Sequence, residues 1–288
     1  MNLEHIATFL ALVRNGNFRK AAAERGISQG AISQHIKKLE ILLGTQLVER
    51  TQQGCSPTSD GERLLPHAES LLRVNGRALN AIQRESVVVG ASSNVGTYLL
   101  QPEIKAFLDR AGGRCDVELV IRRNPTVAEK LESGEVDVAV MEWWDGRPGC
   151  TAALWRREEM LVIVPPDHAW VGMPGIPPSL LCESQMLGGE SGTGTGRLLA
   201  RYFGDRAGGM RSAMSLGSTE AVKQWVKAGL GVSLVLAGSV ERERRDGTLC
   251  AIPVEGEPLY KELYVVWRDA LSPQSLSRRF AESLLVDD

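Results

Sequence analysis

Three apolar stripes at helical spacing, each closed by a glycine, open this chain and narrow the folds available to it. Ile6, Phe9, Leu10 and Val13 recur at helical intervals up to Asn15-Gly16. Asn17 stands at the N-cap of a second segment, Phe18 to Ala23, which Gly26 ends early. Ser28 caps a third, whose Ile32, Ile36, Leu39 and Leu43 are expected to face inward. Two short helices, a glycine-containing turn and a longer helix make the helix-turn-helix arrangement. The outward face of the third helix then carries Gln29, Gly30, Ser33, Gln34, Lys37 and Lys38. Small residues at its start let it sink into a major groove, Gln and Ser reach base edges, and the lysines meet phosphates. Periodicity alone also fits a plain three-helix bundle with a solvated polar face.

Charge separates the head from the body. Residues 1–58 hold seven Lys or Arg against four acids, whereas residues 87–288 hold 22 against 27. A basic head on an acidic body suits a polyanionic partner at the N-terminus only. No apolar run approaches the ~20 residues needed to cross a bilayer, so no membrane partner is expected. Met1 to His5 lacks a basic stretch leading into an apolar one, which predicts a cytoplasmic protein. The five cysteines (Cys55, Cys115, Cys150, Cys182, Cys250) never fall as C-x-x-C, and the four histidines are scattered; no disulfide framework, metal site or cofactor is expected.

The wording of the head goes further than its periodicity. Phe18-x-x-Ala21-Ala22, Ile27-Ser28-Gln29, Ala31-Ile32-Ser33-Gln34-x-Ile36, Leu39-Glu40-x-x-Leu43-Gly44-x-x-Leu47-Val48-Glu49-Arg50 and Thr58-x-x-Gly61 resemble the DNA-binding domain of LysR-type transcriptional regulators. The resemblance implies a winged helix-turn-helix over residues 1–58, with a hairpin wing from Gln46 to Pro57, and double-stranded promoter DNA as partner. The DNA-contacting set is then Arg19, Ser28, Gln29, Gly30, Ser33, Gln34, Lys37, Lys38, Arg50, Gln52 and Gln53. The chain departs from the family pattern in places: Asn17 replaces the usual Ser, Gly30 a common Ser, and Val48 the usual Phe. The wing tip Thr51-Gln52-Gln53-Gly54 lacks the frequent basic pair, so its pull on phosphate is weaker.

Ser59 is expected to cap a helix running to about Arg84, a linker over residues 59–86. Leu65, Leu72 and Leu79 repeat every seven residues, with Ala68, Asn75 and Ile82 at the other heptad position. Periodicity allows this helix to pack on its own domain or on a second chain. The resemblance assigns it to dimerisation and adds an interface between effector domains, giving a homodimer or homotetramer.

From Val87 onward short apolar strands alternate with helices, which predicts a mostly parallel sheet covered by helices. Strands are expected at Val87–Val89, Val117–Ile121, Val136–Met141 and Met160–Val164, then Gln185–Leu187, Ser212–Leu216, Val232–Val235, Leu249–Ile252 and Leu263–Trp267. Helices are expected near Gly196–Phe203, Thr219–Ala228, Ser239–Arg245 and Pro273–Leu285. Gly134-x-Val136-Asp137-Val138-Ala139-Val140, Glu190-Ser191-Gly192-Thr193, Gly217-Ser218-Thr219 and Ala228-Gly229-Leu230-Gly231 resemble the same family's effector domain. The fold class is therefore α/β: an all-α winged helix-turn-helix head and a two-lobed, periplasmic-binding-protein-like body over 87–288. Lobe I takes 87–164 and 265–288, and lobe II takes 165–264.

Ligands of such bodies sit beyond the carboxyl ends of the strands. Small hydroxyl residues precede helices at Ser92-Ser93, Ser191-Gly192-Thr193 and Ser218-Thr219, where unpaired N–H groups and partial positive charge gather. Asn94 and Glu142 adjoin two strand ends. Together they predict an effector site for a small anion, a carboxylate, sulfate or phosphate; as ordinary N-caps the same hydroxyls need no ligand. Many relatives place an arginine after Ser-Gly-Thr; here Gly194 follows and the first arginine is Arg197, facing either cleft or solvent. Trp143-Trp144 fit either a pocket wall or the core. A periplasmic receptor would share the body but not the head. An enzyme is not expected: G-x-S-x-G, the phosphate-loop pattern and a strand-linked G-x-G-x-x-G are absent, and Gly192-Thr193-Gly194-Thr195-Gly196 has the wrong spacing.

Overall fold

Each helix of the head starts where a side chain takes up its first unpaired N–H groups. The computed structural model describes residues 1–51, 54–83, 85–190, 192–204 and 216–286. Asn2 caps α1 (Leu3–Asn15), Asn17 caps α2 (Phe18–Arg25) and Ser28 caps α3 (Gln29–Leu43). Gly16 and Gly26 stop the first two in the left-handed conformation, φ 60° and 65°, that side chains rarely adopt. The wing, β1 (Val48–Thr51) antiparallel to β2 (Gly54–Pro57), is tied down at both ends. The Glu40 carboxylate accepts from the N–H groups of Leu47 and Val48, at 2.9 and 3.3 Å. The Cys55 N–H donates to the Gly16 carbonyl, at 2.8 Å.

The long helix α4 (Ser59–Gln83) is capped one residue earlier than expected. Thr58, not Ser59, accepts the Gly61 N–H, at 3.1 Å, because its own hydroxyl is held by the Gln46 carbonyl at 2.7 Å. Gly61 must lack a side chain there, since a Cβ would run into the Leu47 carbonyl. Ile6, Phe9, Leu12, Ala21, Ile32, Leu39, Leu47 and Ala68 are buried in one core. Leu43 is not among them: it is the last residue of α3, next to Gly44, and is 37% exposed. The heptad of α4 is also divided in its use. Ala68 is buried and Leu65 and Leu72 are half-buried against the head's own core, while Leu79 is 59% exposed. Asn75 is half-buried, and the side chain of Ile82 lies outside the described residues.

The chain divides into two compact units, residues 1–84 forming the body of the first and residues 85–132 with 136–288 the second. The second unit is organised by two long strands. β3 (Glu85–Ser92), β4 (Cys115–Arg122) and β5 (Val138–Met141) run parallel, with α5 (Gln101–Ala111) and α6 (Asn124–Glu132) between them. β6 (Cys150–Val164) then pairs at its far end with strands of the second lobe. That lobe holds α7 (Pro178–Glu183), α8 (Gly194–Phe203), α9 (Thr219–Lys227), β7 (Ser233–Leu236), α10 (Glu241–Asp246) and β8 (Cys250–Ile252). β9 (Tyr260–Arg268) returns antiparallel to β6 from Glu159↔Tyr260 to Cys150↔Arg268, and joins β5. The last helix, α11 (Leu276–Ser283), packs on lobe I.

The sheet is mixed rather than mostly parallel, because the two strands that cross between lobes run against their neighbours. β6 also begins at Cys150, ten residues before the apolar run that announced it. Its first part carries Arg156, Arg157, Glu158 and Glu159, and a bulge between Leu154 and Arg156 breaks the alternation. Of the expected strand at Gln185–Leu187 only a bridge from Met186 to Val232 forms. Residues 212–215 lie outside the described residues, and Leu216 is not in a strand. No helix among the described residues is long and apolar enough to cross a membrane.

Phe280 of α11 is fully buried and meets Phe107 of α5 edge to face, centroids 5.1 Å apart, under the parallel strands. Phe280→Ala is expected to lower unfolding stability by about 3–5 kcal/mol, read as a reduced urea midpoint at unchanged slope.

Candidate functional site

In the head, the polar side of α3 is presented as its sequence foretells. Ser28, Gln29, Gly30, Gln34, Lys37 and Lys38 are exposed and Ser33 is half-buried, while Ile32, Ile36 and Leu39 point inward. Charge pairing sharpens this face. Arg14 lies 3.1 Å from Glu24 and Arg25 lies 2.6 Å from Glu4, so these two cations are matched internally. Arg19, exposed at the start of α2, and Lys37 and Lys38 make no ion pair among the described residues. Gln52 and Gln53 and the side chain of Arg50 lie outside the described residues. The unused cations thus share one unit with exposed Gln29 and Gln34, a composition suited to a phosphate backbone with base edges inside it. His35, on α3, hydrogen-bonds Thr8 at 2.9 Å and stacks 4.7 Å from His5. Burial, then the neighbouring His35 and Lys38, hold the His5 imidazole below its ordinary pKa.

In the body, strand ends and helix starts converge on an interlobe cavity of about 350 Å³. Ser92, Ser93, Asn94 and Glu142 reach it from lobe I, and Gly192, Thr193, Ser218 and Thr219 from lobe II. Ser191 lies outside the described residues. Most of these hydroxyls are already engaged. Ser93 donates to the Arg122 carbonyl, at 3.3 Å. Thr193 donates to the Glu190 carbonyl and caps α8 through the Gly196 N–H, and Ser218 caps α9 through the Ala221 N–H. Ser92 differs. Its side-chain oxygen is buried, the residue only 1% exposed, and it has no hydrogen-bond partner among the described residues. A buried hydroxyl left unpaired costs about 1–3 kcal/mol, which sets Ser92 apart from the other hydroxyls of the cavity.

The lobes are joined across the cavity by polar side chains. Thr219 donates to Asn94, at 2.6 Å, and Asn94 donates to Glu142, at 3.1 Å. Glu142 pairs with Lys261 of β9, at 2.7 Å, with both side chains at most 7% exposed. Lys261 also reaches the Thr195 hydroxyl of α8, at 3.3 Å. Glu142 is therefore a structural bridge in this conformation, its charge answered within the protein. A Cβ on Gly194 would strike the Glu142 carboxylate and come 3.1 Å from the Trp143 ring. An arginine cannot stand at 194 while Glu142 occupies that space. A second cross-lobe contact runs from the Tyr98 hydroxyl to Glu220, at 3.4 Å. Beside it the buried Lys223 lies between Glu220 and Glu243, each at 2.9 Å. Burial opposes the Lys223 charge, but hydrogen bonds to the two carboxylates outweigh it and raise its pKa.

Four residues near the cavity were not nominated from sequence. Arg123 and Asn124 line it at the junction of β4 and α6, the same strand-to-helix logic applied elsewhere. Asn124 fixes the backbone of Glu142 and Trp143, at 2.9 and 3.0 Å, while the exposed Arg123 has no ion pair among the described residues. Thr195 lines the cavity, and Lys261 sits at an inward position of β9, in phase with Leu263, Val265 and Trp267. A lysine at such a position demands an acid, and that phase was the available signal. Of the residues left undecided, Trp143 lines this cavity, whereas Arg197 and Trp144 line a neighbouring one.

Residues 3–62 match the family described as bacterial regulatory helix-turn-helix protein, lysR family, and residues 81–286 match the LysR substrate binding domain. A putative HTH-type transcriptional regulator protein PtxE of Stutzerimonas stutzeri is 43% identical over 195 residues, which is 68% of this chain and 100% of that protein. The HTH-type transcriptional regulator CbbR of Xanthobacter flavus is 32% identical over 265 residues, covering 88% and 78%. A solved structure of full-length CbnR complexed with its target DNA superposes with a TM-score of 0.77 at 21% identity, over 99% of both chains, and shares the fold. Helix-turn-helix head and two-lobed body together place the chain in the LysR family, as a DNA-binding transcription regulator with an effector-binding domain.

Proposed function

We infer that the chain is a promoter-binding switch in which residues 1–58 read double-stranded DNA, residues 59–86 link two copies, and residues 87–288 take up a small anion between the lobes. The Ser92 hydroxyl, buried in the wall of the interlobe cavity and without a partner among the described residues, carries the effector part of this reading. Anionic character is supported by the helix starts that open on the cavity and by Arg123, which no described acid neutralises. Gly192, Thr193, Ser218 and Thr219 frame the starts of α8 and α9, whose first-turn N–H groups face the ligand, since the Thr193 N–H and the hydroxyls of Thr193 and Thr219 are spent. Ser93, Asn94 and Glu142 shape the lobe I wall, and the ligand acts by favouring one closure of the lobes over another.

In the head, Gln29, Ser33 and Gln34 face base edges, Ser28 and Gly30 allow the close approach of α3, and Arg19, Lys37, Lys38 and Arg50 meet phosphates, with Gln52 and Gln53 at the wing tip. Gln34→Ala is expected to reduce discrimination between promoter and random DNA by roughly tenfold, with little loss of random-DNA affinity. Competition binding at fixed salt measures the ratio, and full discrimination by the variant would remove α3 from the reading role.

The outer half of α4, with Leu71, Val74 and Leu79 exposed at 40%, 46% and 59%, is the seam for a second copy; Leu65, Ala68 and Leu72 anchor the helix to its own head. Val74→Glu with Leu79→Glu is expected to shift the light-scattering mass down to the monomer at micromolar concentration. An unchanged mass would place the interface elsewhere.

Phosphate, sulfate and succinate are suitable effector probes. A probe at a hundred times its dissociation constant should stabilise the protein by ~2.7 kcal/mol, read as a rise in melting temperature. Ser92→Ala with Arg123→Gln should remove that rise and leave DNA affinity unchanged; a variant that still responds as wild type would show that the cleft is not the sensor.

A further inference from the structure

A second cavity, of about 710 Å³, opens beside the interlobe one and is unlike it in chemistry. Glu142, Trp143 and Gly194 form a wall common to both. Beyond that wall the lining is aromatic and cationic: Trp144, Tyr202, Tyr260 and Tyr264 with Arg157, Arg197 and Arg201. Its residues come together by simple periodicity. Arg197 and Arg201 are one turn apart on α8, and Tyr260, Glu262 and Tyr264 alternate on one face of β9.

The charges do not balance. Lys261 is matched by Glu142, at 2.7 Å, and Arg157 by Glu262, at 3.0 Å. The Tyr264 hydroxyl hydrogen-bonds Glu262, at 2.7 Å, and this bond, then Arg157 and the field of Arg201, keeps that carboxyl below its ordinary pKa. Arg197 and Arg201 have no ion pair of their own among the described residues. Arg197 instead lies over the Trp143 ring, 5.1 Å from its centroid, an arrangement that leaves the guanidinium edge free to donate. Tyr202 and Tyr260, also in the lining, are 39% and 48% exposed.

We propose that this cavity is a second ligand site, distinct from the interlobe one, for a flat aromatic ring that carries a carboxylate or phosphate. The ring stacks among the tryptophan and tyrosine faces and the anion bridges the guanidinium groups of Arg197 and Arg201. Two forked donors suit a two-oxygen anion, and aromatic walls distinguish it from an inorganic one. Because Trp143 and Gly194 belong to both walls, a ligand here presses on the Glu142–Lys261 pair and so on the interlobe cavity.

Calorimetric titration of the full chain tests this with three probes: naphthoate for a ring with carboxylate, cytidine monophosphate for a ring with phosphate, and inorganic phosphate for charge alone. At least one ring-bearing probe should bind one per chain and more tightly than phosphate by roughly tenfold, and whichever it is identifies the anion. Arg197→Gln with Arg201→Gln should weaken that probe roughly tenfold or more. Ser92→Ala with Arg123→Gln, in the other cavity, should leave its stoichiometry unchanged. Binding that survives the arginine changes, binding that is lost with the Ser92 and Arg123 changes, or a wild-type protein that binds neither ring-bearing probe would each overturn the proposal. A failure of the interlobe reading, by contrast, would appear as unaltered phosphate, sulfate or succinate stabilisation in the Ser92 and Arg123 variant.

Discussion

The antiparallel pairing of β6 with β9 is the constraint on which the effector domain rests. One ladder, broken by a bulge between Leu154 and Arg156, runs from Cys150↔Arg268 to Glu159↔Tyr260 and belongs to both lobes, and each lobe completes its sheet against one of these strands. Their register also sets the chemistry of the cleft. It brings Lys261 to Glu142 at the end of β5, where the pair is largely shielded from solvent. Buried ion pairs contribute little net stability, yet removing one partner typically costs about 3–5 kcal/mol because the other charge is stranded. The pair is better understood as a positioning device. It holds the Trp143 wall and the start of α8 in register, and Gly194 is the residue that leaves it room.

Much of this was legible beforehand because local rules govern the head. N-caps at Asn17 and Ser28, stops at Gly16 and Gly26, and inward positions Ile32, Ile36 and Leu39 all depend on neighbours a turn away. Where the sequence misled, the deciding interaction came from farther off. Thr58 displaced Ser59 as the cap because the Gln46 carbonyl holds its hydroxyl. Leu65 and Leu72 obey a heptad and are half-buried against the head's own core, a contact that a heptad alone does not specify. The charged start of β6 concealed a strand whose partner lies more than a hundred residues on, so neither alternation nor composition could announce it.

The site follows the same division. Ser92, Ser218 and Thr219 could be nominated because strand ends and helix starts are local features, and all three line the cavity. Which of their hydroxyls is free is a tertiary property. Ser93, Thr193 and Ser218 spend their oxygens on nearby backbone, whereas the surroundings of Ser92 leave its oxygen unmet among the described residues. Glu142 lines the cavity as its place at a strand end suggests, but its pairing with a lysine distant in sequence could not be read from that place.

The path of the chain through the two lobes bears on how the body is made. β5 must wait for β9 to be covered on its open side, and Phe280 reaches the core of lobe I only afterwards. Lobe II is thus an insertion, synthesised in full while its host lobe still shows an unpaired strand edge and a gap in its core. Long-range closures of this kind are slow, and exposed edges invite pairing with other chains in the interval. A ribosome that pauses before β9 has emerged would hold the chain with the β5 edge unpaired and without Phe280 in the core of lobe I.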